Sequence, residues 1–161
     1  MELLIIVLLI LINGIFSMSE MALVSSKKYK LEKASKRGNK KARKALELSE
    51  HPTRFLSTVQ IGITLIGILL GVYSGENLTN DFISILERST LLKPYSQELA
   101  TGIIVVLITF FSIVFGELVP KRIGMAFPEK IITFMAAPMQ VLALLTGPFV
   151  WLLTASNNLI V

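Results

Sequence analysis

The residues with the clearest chemistry are Gly116, Glu117 and Pro120, at the end of the apolar run Leu99 to Lys121, LATGIIVVLITFFSIVFGELVPK. An apolar run of this length spans a bilayer as a helix. A carboxylate sits inside it, beside a glycine and three residues before a proline. Pro120 carries no N–H, so in a helix the Gly116 carbonyl loses its i+4 donor. Gly116 has no side chain to cover that carbonyl. A bare carbonyl next to a carboxylate is a pair of hard oxygen donors, the kind that Mg2+ and Ca2+ take. An ionisable residue within a span is a functional-site hypothesis by default. The competing reading is that Glu117 snorkels to the interface or pairs with Lys121 at i+4.

Two other apolar runs offer oxygens. In Leu3 to Val24, Asn13, Ser17 and Glu20 recur at i, i+4 and i+7 on one helical face, with Ser19 off the stripe. Such residues line a bundle interior or act as hydrogen-bonding glue between helices. In Phe55 to Ser74, Gln60, Thr64, Gly67, Gly71 and Ser74 make one small or polar stripe. Gly67 and Gly71 form GxxxG, which reads as close helix packing. Gln60 and Thr64 add side-chain oxygens.

Spans must position these groups. The chain has 161 residues, 53% of them hydrophobic, and a mean hydropathy of +0.69. That is too apolar for a soluble domain of this size and predicts one all-α membrane domain. Cysteine is absent, which excludes disulfides and thiolate metal sites. The net charge is +5. Between Lys27 and Arg54 the basic residues far outnumber Glu32, Glu47 and Glu50. Such a loop faces the cytoplasm and suits anionic lipid headgroups. It predicts two short helices joined near Gly38. Nucleic acid is a poor partner for it, since it is tethered between spans and holds one aromatic, Tyr29.

The first run starts Met1-Glu2, without a basic n-region, and is too long for a signal peptide. It reads as an uncleaved span with its N-terminus outside. His51 stands alone before Pro52 and is not a metal candidate. Gly75 to Glu98 reads as an outside loop with a short helix around Phe82, Ile85 and Leu86, capped near Asn80. Ile131 to Val161 is apolar but punctuated by Pro138 and Gly147-Pro148. A fourth, kinked span and an in-plane helical hairpin compete there. No HExxH, no Ser/His pair within the spans and no Cys nucleophile is present, so the usual enzyme constellations are missing.

Three motifs in order, Asn13 to Leu23 (NGIFSMSEMAL), Thr58 to Gly71 (TVQIGITLIGILLG) and Gly116 to Lys121 (GELVPK), resemble the membrane domain of the CNNM/CorC family. The resemblance covers essentially the whole chain. It implies a homodimeric Mg2+ transporter, commonly a Na+-coupled exporter in the plasma membrane. It implies three spanning helices (about 3–24, 55–74 and 99–120), cytoplasmic short helices within 27–53 and a belt-like juxtamembrane hairpin at about 128–158. The C-terminus would then lie inside, with a CBS pair and a further domain following in the full-length protein. Carried over by motif, the cation ligands are Ser17, Gly116 and Glu117, with Thr64 as the remaining second-helix ligand. Ser19, Glu20 and Gln60 stand by, and Pro120 shapes the site. Ile63-Thr64 replaces the Asn pair of other branches, which opens the selectivity to other cations, including polyamines. A Mg2+-binding anchor or sensor without transport is the alternative from another class.

Overall fold

The computed structural model describes residues 2–73, 77–86 and 93–160. Ser74 of the polar stripe, and Gly75, Glu76 and residues 87–92 of the expected outside loop, lie outside the described residues. The architecture is all-helical, with no strand among the described residues. In chain order the helices are α1 (Glu2–Ser25), α2 (Lys28–Lys36), α3 (Lys40–Glu50), α4 (Pro52–Tyr73) and α5 (Asn77–Leu86). They continue as α6 (Ser96–Ile113), a π-helical turn (Val114–Leu118), α7 (Val119–Ala126), α8 (Pro128–Leu145) and α9 (Gly147–Ile160).

α1 is the central element. It packs against α4 on one side and against α8, the π turn and α7 on others. Its Ile6 and Ile10 join Ile66 and Leu70 of α4 in one buried cluster. Its Ala22 and Leu23 join Leu31, Ala45, Phe55, Val59, Ile132 and Met139 in a second, where α2, α3, α4 and α8 converge. α4 and α6 make no extensive contact with each other.

Four glycines set how closely these helices approach. A Cβ on Gly14 would lie 2.9 Å from both the Phe115 carbonyl oxygen and Pro120 Cγ. One on Gly124 would lie 2.6 Å from the Met18 carbonyl oxygen, and one on Gly62 would enter the Phe16 ring at 2.8 Å. One on Gly116 would meet Asn13 Nδ2 at 3.1 Å. Close packing was expected at Gly67 and Gly71. Within this chain both face open space. GxxxG spacing identifies a face on which a helix can come near, not whether one does.

The basic segment forms two helices joined at Gly38, whose φ of 88° is a left-handed value that a side chain disfavours. Asn39 caps α3 by accepting from the N–H groups of Lys41 and Ala42 at 3.0 and 3.1 Å. Ala42, Ala45 and Ser49 are the buried positions of α3, which packs on α8. Lys41 Nζ sits 5.9 Å over the Phe134 ring of α8. Glu129, at the start of α8, pairs with Lys30 Nζ at 3.2 Å and accepts from the Lys27 N–H at 3.4 Å. α5 begins at Asn77, before the expected cap at Asn80.

The expected three spans are not matched as stated. Four helical stretches are long and apolar enough to cross a membrane: Glu2–Ser25, Pro52–Tyr73, Ser96–Ala126 and Pro128–Leu145. The fourth qualifies because Pro138 lies inside α8 without ending it. A proline in a helix deletes one hydrogen bond, here to the carbonyl of Phe134, and neighbouring helices can hold the rest. The 18 residues of α8 reach about 27 Å, just short of a hydrocarbon core of about 30 Å. The chain then turns at Thr146, whose hydroxyl lies 3.2 Å from that of Thr58 on α4. Arg54 Nη2 donates to the Ala143 carbonyl at 3.5 Å at the same elbow.

Candidate cation site

The GELVPK stretch departs from α-helical geometry at the residues that carry its chemistry. Val119 donates its N–H to the Val114 carbonyl, five residues back. The Phe115 carbonyl thereby loses its i+4 donor to Val114. The Gly116 carbonyl loses its own because Pro120 has no N–H. Single π turns of this kind are frequent at functional sites. Gly116 and Pro120 are both buried here.

A side chain from α1 answers the Gly116 carbonyl. Asn13 Nδ2 donates to the Gly116 oxygen at 3.1 Å, across 103 residues of chain. Asn13 is only 9% exposed. Its other amide atom, Oδ1, is buried with no hydrogen-bond partner. Leaving a buried acceptor unmet costs about 1–3 kcal/mol. Ser17, one turn along α1, is 1% exposed. The absent Cβ of Gly14 lets this face of α1 close on Phe115 and Pro120. Sequence spacing put Asn13 and Ser17 on one face; which of them reaches the GELVPK turn is a long-range fact that a local pattern does not hold.

Glu117 faces elsewhere in this structure. Its Oε1 accepts from Lys121 Nζ at 2.6 Å, the competing i+4 pairing, and its side chain is half-exposed. The carboxylate is thus adjacent to the Gly116 carbonyl in sequence but held by a cation of its own helix. Ser19 is fully buried, and its hydroxyl donates to the Ile15 carbonyl at 2.7 Å, one turn back. That bond uses its proton within α1.

The second-helix candidates gather in a different place. Gln60 and Thr64 are exposed. With Glu20, Ser57, Phe149 and Leu152 they line an open groove of about 640 Å3 between α4, α1 and α9. So the structure brings Gly116 and Pro120 onto the Asn13–Gly14 part of α1, with Ser17 buried one turn along the same helix. It places Thr64, Gln60 and Glu20 along a separate groove. Among the described residues no three His, Cys, Asp or Glu side chains cluster. The inner set is neutral oxygens and amide, with a single carboxylate beside it.

A bundle of long apolar helices around a buried, partly unpaired polar centre is a membrane domain. The family described as "Cyclin M transmembrane N-terminal domain" matches residues 4–161. The chain belongs to this CNNM family, a family of multi-pass membrane proteins. It is 48% identical over 158 residues to the UPF0053 protein sll0260 of Synechocystis sp., covering 98% of this chain and 35% of that protein. It is 34% identical over 159 residues to the polyamine export protein of Escherichia coli (strain K12), covering 99% and 35%. It is 33% identical over 155 residues to the UPF0053 inner membrane protein YfjD of the same strain, covering 92% and 32%. The chain thus spans about a third of the length of these curated relatives.

Proposed function

We propose that this chain is the membrane domain of a cation exporter, most simply for Mg2+ and coupled to Na+, with its site at the π turn. The observation that carries this is the Gly116 carbonyl: buried, stripped of its helical donor, and next in sequence to a carboxylate. A hard cation takes such oxygens once it sheds water. Ser17 supplies a hydroxyl on the facing helix. Glu117 would supply charge by exchanging Lys121 for the cation, since a low-dielectric site needs a negative group close by. Broken helical geometry at mid-membrane is where transporters place coupling ions. This reading makes the chain a transporter rather than an enzyme.

Three of the four long helices cross in this reading: α1, α4 and the α6–α7 stretch. α8 carries Glu129 and Lys130, and packs along α3, whose Lys40, Lys41, Arg43 and Lys44 need water. A helix lying against such a neighbour sits at the interface, forming a juxtamembrane hairpin with α9. The basic segment 27–54 then faces cytoplasm and anionic lipid, the N-terminus is outside, and CBS domains of the full-length protein follow inside. A homodimer would fill the open groove of about 410 Å3 beside Gly67 and Gly71, which Thr101, Thr109 and Ser112 also line.

A polyamine is the second reading for the cargo. Several relatives at 31–34% identity are named polyamine export proteins. The groove with Glu20 at its polar part and Phe149 and Leu152 on its wall suits an alkyl chain bearing an ammonium. The deciding experiment is efflux from proteoliposomes of the full-length protein loaded with Mg2+ or spermidine, with and without a Na+ gradient. Mg2+ efflux that depends on Na+ supports the first reading. Spermidine efflux alone supports the second. Cation binding with no flux of either would make the domain a sensor or anchor.

A further inference from the structure

Asn13 does more than join two helices. It is an amide with one end engaged and the other orphaned, both buried. With no cation present, only the NH2 end can face a carbonyl oxygen, because two oxygens would repel. A cation reverses that preference. The Asn13 nitrogen and the Gly116 oxygen stand 3.1 Å apart. Turning the amide over puts an oxygen where the nitrogen was, at nearly the same spacing. Two oxygens at right angles around Mg2+, each at about 2.1 Å, are about 3.0 Å apart. The geometry is therefore already that of one edge of a coordination shell.

We propose that Asn13 is a two-state latch on the Gly116 carbonyl: its NH2 covers the carbonyl in the empty site, and its Oδ1 joins the carbonyl on a dehydrated cation in the loaded one. This rests on the site assigned to the π turn and adds a residue that the motif-derived ligand set, Ser17, Thr64, Gly116 and Glu117, leaves out. The orphaned Oδ1 is the feature that plain helix-joining glue does not explain, since glue would be served by both ends of the amide. The shared chemistry is positive charge without water, so a metal ion or an ammonium head would be served. A latch that covers its own ligand when empty also hinders a second ion or water from entering the membrane centre.

The test compares the full-length protein with Asn13→Leu, Asn13→Asp and Glu117→Gln. Each is melted in mild detergent with MgCl2, with spermidine, or with choline chloride as an ionic-strength control. A cation that binds only the folded state raises its melting temperature. Asn13→Leu keeps the size but removes both ends of the latch, and should lose at least tenfold in apparent affinity. Asn13→Asp replaces the donor with an oxygen, so the empty protein should melt lower while its cation-induced rise exceeds that of the parent. A merely structural hydrogen bond predicts lower melting in both variants with the parent's cation response unchanged. That result, alongside loss of response in Glu117→Gln, overturns the latch and leaves the site standing. No response to either cation in the parent overturns both. Should Asn13→Leu fail to fold, Asn13→Asp alone decides: an enlarged response supports the latch and an unchanged one overturns it. The cation that produces the response identifies the source of the charge.

Discussion

Lys121 Nζ holds Glu117 Oε1 at 2.6 Å, one helical turn apart within the GELVPK motif. The one carboxylate beside the Gly116 carbonyl is therefore already neutralised. A cation that uses Glu117 must displace Lys121, and the pair sets a threshold against loading. Lys121→Met removes that competitor and should tighten Mg2+ binding several-fold in calorimetric titration. Unchanged or weaker binding would mean that the cation does not compete with Lys121.

Pro120→Ala tests the carbonyl from the other side. It supplies an N–H that can satisfy Gly116 within the helix, in competition with both Asn13 and a cation. It also removes ring atoms that pack on Gly14. Mg2+ affinity should fall several-fold while the fold, read by circular dichroism, stays helical. Binding equal to the parent's would show that the carbonyl is not a ligand.

The glycines divide into two kinds, and substitution should separate them. Gly14→Ala and Gly124→Ala push a methyl group against backbone and proline atoms at 2.9 and 2.6 Å. Forcing α1 off its neighbours this way costs typically about 1–3 kcal/mol. Gly67→Ala meets nothing within 4 Å and should not destabilise the single chain; in a helix Ala gains roughly 0.5–1 kcal/mol over Gly. If Gly67 lies in the groove that a second copy fills, the same change weakens dimerisation. Thermal melts together with mass measurement in detergent read both effects.

How far the sequence revealed this arrangement depended on whether the cause was local. The freed Gly116 carbonyl was legible, because a missing N–H at Pro120 acts four residues away. The joint at Gly38 is local in the same sense. The partner of the Gly116 carbonyl was not legible: Asn13 is 103 residues distant, and its face was shared with Ser17 and Glu20. The glycines at real helix contacts, Gly14, Gly62, Gly116 and Gly124, lack a regular spacing, whereas the regular pair Gly67 and Gly71 faces open space within the chain. α8 adds a fourth stretch long and apolar enough to cross because a proline inside a packed helix need not end it.

Topology is open to a clean labelling assay because the chain has no cysteine. Ser35→Cys on α2 and Ser156→Cys on α9 should be labelled from the cytoplasmic side. Asn80→Cys on α5 should be labelled from outside. Ser156→Cys labelled only from outside would make α8 a fourth span, in place of the juxtamembrane hairpin.

The central claim is that a cation binds at the π turn with Glu117 as its charge. Glu117→Gln keeps the size and one oxygen of the side chain and removes the charge. Neutral oxygens from Ser17, Asn13 and Gly116 alone should not repay the dehydration of Mg2+, which gives up water reluctantly. The measurement is calorimetric titration of Mg2+ into purified parent and Glu117→Gln proteins of equal oligomeric state. The account predicts at least a tenfold loss of affinity, about 1.4 kcal/mol or more. Glu117→Gln binding Mg2+ as tightly as the parent would contradict it and leave Glu117 as the helix-surface partner of Lys121.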